Sequence, residues 1–132
     1  MNDERKKPIL APVSAGELLD KISILEIKAE RVRDPAKRSM AQHELDQLNH
    51  VREQHVPDSA EVNRYCFELK SINEVLWDIE DRIRLKEHAS SFDGEFIGLA
   101  RAVYKTNDQR AAIKSRLNAL LSSDIVEVKD YQ

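Results

Sequence analysis

Between positions 62 and 83 the chain repeats every seven residues: Val62, Leu69, Leu76 and Ile83 are spaced by sevens, and Tyr65, Ile72 and Ile79 follow the first three at a step of three. An a/d heptad sustained over three repeats specifies a long helix with a packing seam along one side, and that seam needs a second helix to cover it. A sheet is incompatible with this period. The segment therefore predicts a bundle built around a long helical hairpin.

The flanking segments repeat the helical period. Ser14, with Glu17 three residues on, forms a candidate capping box, and Leu18, Ile22, Leu25, Ala29 and Val32 then recur at steps of four and three. A first helix over about 15–33 is predicted. Asp34-Pro35 pairs a favoured N-cap with a favoured first helical residue, opening a second helix over about 35–54. Its stripe of Ala41, Leu45, Leu48 and Val51 is thin, so it is expected at the edge of the bundle. Pro57 ends that helix, and Asp58 with Glu61 offers a cap for the third. Ser90-Ser91-Phe92-Asp93-Gly94 interrupts the pattern before a fourth helix over about 94–121. The fourth seam reads Leu99, Val103, Thr106, Arg110, Ile113, Leu117 and Leu120, with polar residues at its centre. Pro8 and Pro12 keep residues 1–13 as an extended arm, the helical domain covers 14–123, and 124–132 form a tail that alternates enough for a short strand or docking arm.

The expected class is all-α: an antiparallel bundle of about four helices, with the third and fourth as a coiled-coil-like hairpin. Helices of about 27 residues reach roughly 40 Å, longer than a small monomeric core readily covers, so a homodimer is expected.

Charge narrows the partners. Lys and Arg total 21 against 24 Asp and Glu, a net of -3, without the basic excess of a phosphate-neutralising surface. Nucleic acid is not an expected partner. The apolar run from Pro8 to Val13 is too short for a signal sequence or a membrane span, so a cytoplasmic protein with no membrane insertion is expected. Cys66 is the one cysteine and lies within the heptad region, which reads as a small core or boundary residue. His43 and His50 lie two turns apart, too far to share a zinc ion, and His55 and His88 add no ligand spacing.

The densest polar group with a candidate role is on the fourth helix: Arg101, Lys105, Asn107, Asp108, Arg110 and Lys114. Arg110 falls on the apolar seam, with Asn107 and Lys114 beside it at i-3 and i+4. A buried guanidinium needs a carboxylate, supplied by the protein or by a ligand. Glu17, Asp20, Glu26 and Glu30 of the first helix and Asp78, Glu80 and Asp81 of the third are the internal candidates. Two outcomes stay open: an ion-pair layer that sets helix register, or an anion pocket lined by the helix-four cations, with Lys21, Asn73 and Trp77 as further pocket partners. Glu17 with Asp20 and Asp78 with Asp81 also have the i, i+3 spacing seen in magnesium-dependent pyrophosphohydrolases, although Lys21, Arg82 and Arg84 offer each pair a salt bridge instead. No cofactor is otherwise expected.

Three strings, Pro12 to Lys28, Asn73 to Arg84 and Phe96 to Lys114, together resemble a family of small bacterial helical proteins of unknown function. Members of that family occur near or fused to polysaccharide and lipopolysaccharide glycosyltransferases, so the resemblance implies an association with surface-polysaccharide assembly. Separately, Leu18 to Lys28 is similar to the opening helix of the all-helical chorismate mutases, which bind a dicarboxylate with Arg and Lys. Where that family carries an arginine, two residues before the lysine, this chain has Leu19. Two functions follow: a non-enzymatic interaction or accessory module, with a protein partner in polysaccharide assembly, or an enzyme or binding protein for a small anionic metabolite such as a phosphate, nucleotide-sugar or dicarboxylate.

Overall fold

The computed structural model describes residues 7–122, and these form four helices: α1 (Ala15–Arg31), α2 (Pro35–His55), α3 (Ala60–His88) and α4 (Gly94–Leu120). No helix among the described residues is long and apolar enough to cross a membrane. The expected tail strand at 124–132 lies outside them, as do residues 1–6.

Each helix starts on a side chain that accepts an orphan backbone N–H. Ser14 receives the Glu17 amide at 3.1 Å, Asp34 the Ala36 amide at 2.9 Å, and Asp93 the Phe96 amide at 3.0 Å. Three expectations need correction. The cap of α3 is Ser59, which receives the Val62 amide at 3.1 Å, because Asp58 is occupied with the Asn63 side chain at 3.0 Å. The first capping box is half formed, since the Glu17 carboxylate turns away to Lys114 at 2.8 Å. α1 stops at Arg31 rather than 33: Val32 is already extended, and its amide closes the last turn on the Lys28 carbonyl.

α1 is the central element and packs on all three others, whereas α2 follows α1 along the edge, as its thin stripe predicts. Leu18, Leu19, Ile22 and Leu25 of α1 meet Ala41 and Leu45 of α2, Val62 and Leu69 of α3, and Ile113 and Leu117 of α4 in one core. Each large aliphatic chain removed from water there contributes about 1.5–3 kcal/mol of transfer free energy. The α3 heptad faces inward as expected, with Val62, Leu69, Leu76 and Ile79 buried. Cys66 is half-buried against this core, and burial pushes its thiol up from the ordinary range.

α3 and α4 form the antiparallel hairpin. Ser90 closes it with a left-handed φ of 51°: the Ser91 amide donates to the Lys86 carbonyl at 2.9 Å and the Ser90 amide to Glu87 at 3.0 Å, a Schellman motif made without glycine. Lys86 reaches Asp93 at 2.9 Å and Glu95 at 3.1 Å, and Arg82 also reaches Glu95. α1 covers only part of this hairpin, because its last residue, Arg31, pairs with Asp78 and Glu74 while α3 continues to His88. Leu120, placed on the α4 seam by periodicity, is 38% exposed; Lys114 and Asn118 are buried in the last two turns before it.

Candidate functional site

Beside the apolar core, one edge of the α1–α4 contact is polar. At its open end the Gly16 amide donates to Asn118 Oδ1 at 2.7 Å, so a side chain of α4 satisfies a second orphan N–H of the first turn of α1. The two backbones approach so closely that a Cβ on Gly16 would stand 2.6 Å from the Lys114 carbonyl oxygen. One turn further in, Lys114, only 6% exposed, pairs with Glu17.

At the centre lies Asp20, 1% exposed. Arg110 Nε donates to its Oδ1 at 2.8 Å, and Arg110 Nη2 donates to Oδ2, a two-pronged guanidinium–carboxylate pair. Asn73 of α3 donates from Nδ2 to the same Oδ1 at 3.0 Å and to Ser23 Oγ at 2.8 Å, while Ser23 donates to the Asp20 carbonyl at 2.7 Å. Arg110 Nη1 donates to Asn107 Oδ1 at 3.4 Å. Three helices are thus tied by one carboxylate. Among the described residues no buried side-chain nitrogen or oxygen lacks a hydrogen-bond partner.

The helix-four cluster is split into two groups. Asn107, Arg110 and Lys114 turn toward α1, whereas Arg101, Lys105 and Asp108 are exposed on the opposite face. A turn of 100° per residue separates them, since 101, 105 and 108 share one side of the helix and 107, 110 and 114 another. Of the pocket partners named from the sequence, Glu17, Asp20 and Asn73 join the seam. Lys21 pairs instead with Glu44 of α2 at 3.0 Å, and Glu80 faces Arg84 at 3.8 Å. Trp77 and Asp81 line a separate open groove with Arg33, Arg84, Leu85 and His88 at the end of α1. The carboxylates considered for magnesium are dispersed: Asp20 is held by Arg110, Glu17 by Lys114 and Asp78 by Arg31 at 2.8 Å. No group of three or more candidate metal ligands occurs among the described residues.

Sequence reasoning missed Gly16, Ser23 and Asn118. The signal was present, since Arg110, Lys114 and Asn118 are spaced by fours and form a straight polar ridge on α4, matched by Glu17, Asp20 and Ser23 at steps of three on α1. Leu19, at the position where the chorismate mutases carry an arginine, is a fully buried core residue.

Fold and site together define a small all-α protein whose central helix is bound to a helical hairpin through a buried polar seam. The chain belongs to a family of unknown function, DUF6165, whose model matches residues 9–132. No curated protein and no solved structure matches it.

Proposed function

We propose that this protein is a non-enzymatic interaction module, and that its buried charges serve to fix the helices rather than to bind a substrate. The observation that carries the reading is the engagement of Asp20: three side-chain donors, two from Arg110 and one from Asn73, reach its two oxygens. A cation kept for a substrate carboxylate or phosphate would be expected to face open space, whereas Arg110 pairs with Asp20 and Lys114 with Glu17. A rigid bundle held this way presents its outer helix faces to partners. The setting we propose is cytoplasmic surface-polysaccharide assembly, and this rests on the resemblance of the three strings alone.

A second reading, binding of a small anion, draws on the groove that Trp77 lines together with Arg33, Arg84, His88 and the acidic Asp81. A thermal-shift screen of the wild type, Arg110→Ala and Arg84→Ala against inorganic phosphate, nucleotides, nucleotide-sugars and dicarboxylates tests both. The module reading expects no compound to raise the melting temperature of any of the three, and Arg110→Ala to melt early. Stabilisation of the wild type that is lost in either variant would establish an anion site and replace the module reading.

A further inference from the structure

The outer face of α4 has no helix packed on it. Ile97, Arg101, Tyr104, Asp108, Ala112 and Ser115 follow one another at steps of three and four and are all exposed, with Ile97 58% and Tyr104 54% open to solvent. They form a single stripe on the side of α4 opposite its core residues Leu99, Ile113 and Leu117. Neither the Arg101 nor the Asp108 side chain has a hydrogen bond or ion pair within the chain among the described residues. Seven residues apart, they stand about 10 Å from each other along the helix axis and cannot pair with one another.

We infer that this face docks a second copy of the same chain, α4 against α4, antiparallel. The charge pattern on the stripe sets the register. A two-fold axis passing between Tyr104 and Lys105 sets Arg101 of each copy opposite Asp108 of the other, so one pairing is made twice by symmetry, as an isologous interface requires. The same register sets the large Ile97 against the small Ala112 of the second copy, and the Lys105 ammonium against the Tyr104 ring, a cation–π geometry. A parallel arrangement would instead stack like charges at each level. One helix pair is a small interface, so the dimer is reversible and concentration-dependent. The inference rests on the interaction-module reading and names its first partner.

The test is sedimentation velocity on the full chain over a wide concentration range. The wild type is expected to move from 15.2 kDa toward twice that mass. Arg101→Asp and Asp108→Arg, both surface changes whose helicity is checked by circular dichroism, are each expected to weaken self-association about tenfold or more, because each places like charges opposite one another twice. Mixing the two variants is expected to restore association, since each then supplies the charge that the other lacks. A wild type that stays at 15.2 kDa throughout, or a dimer indifferent to both reversals, would overturn the inference. A small anion found in the ligand screen would overturn the module reading and leave these masses unchanged, so the two failures are distinguishable.

Discussion

The Gly16 amide donates to the Asn118 side chain across the α1–α4 contact at 2.7 Å, where the helices are too close for any side chain at position 16. Gly16→Ala is expected to cost about 1–3 kcal/mol in urea unfolding, because the obstructing atom is a backbone carbonyl that cannot move aside. Asn118→Ala should cost a similar amount, about 1–3 kcal/mol, by leaving that amide buried without an acceptor. Gly98 provides the control: its Cβ position is open and it lies inside α4, in the second turn, so Gly98→Ala should stabilise by about 0.5–1 kcal/mol. A Gly16→Ala variant as stable as the wild type would refute the close approach.

The hairpin turn makes an opposite prediction. Ser90 holds a left-handed conformation, φ 51°, that glycine adopts without a Cβ penalty. Ser90→Gly is expected to raise stability by about 1 kcal/mol, read as a higher urea midpoint at unchanged slope. No gain would mean that the turn is not the Schellman closure described.

Acid sensitivity should be concentrated at the same end. The Lys86 ammonium beside Asp93, followed by the Phe96 amide, holds the Asp93 carboxyl down at about 2 against an ordinary 3.8. Glu95 is lowered by Lys86 and Arg82 in the same way. A carboxyl depressed by folding contributes stability that is complete above its unfolded pKa and lost as pH falls through its folded value. The Asp93 contribution should therefore fade between about pH 4 and 2, and Asp93→Asn should lower stability at neutral pH while flattening the acid limb there. Parallel acid titrations of the two proteins, followed by circular dichroism, would contradict the assignment.

Much of the fold was legible because apolar period and capping chemistry agree. The α3 heptad, the Asp34-Pro35 start and the thin α2 stripe each specify their element without tertiary help. The errors came where a second partner, on another helix or a few residues along the chain, competes for a capping or seam residue. Glu17 left its capping box for Lys114, Asp58 gave its cap to Ser59, and Leu120 yielded the inner face to Lys114 and Asn118 because a polar α1 edge waits there. At the candidate site, the isolated Arg110 and its neighbours could be read from the seam, but periodicity on one helix cannot say which carboxylate of another helix arrives. Nor could it divide Arg101, Lys105 and Asp108 from Asn107, Arg110 and Lys114, since that division depends on where α1 lies.

The central claim is that Asp20 and Arg110 exist for each other. The measurement that tests it most directly is a double-mutant cycle of Asp20→Ala, Arg110→Ala and the pair, followed by urea unfolding. Each single change strands one partner of a largely buried ion pair: Arg110→Ala is expected to cost about 3–5 kcal/mol, and Asp20→Ala less, because Arg110 keeps 26% exposure. The double variant should cost clearly less than the sum, with a coupling of about 1–3 kcal/mol. Additive losses, or an Arg110→Ala protein as stable as the wild type, would contradict the account and return Arg110 to the role of a residue held for a ligand.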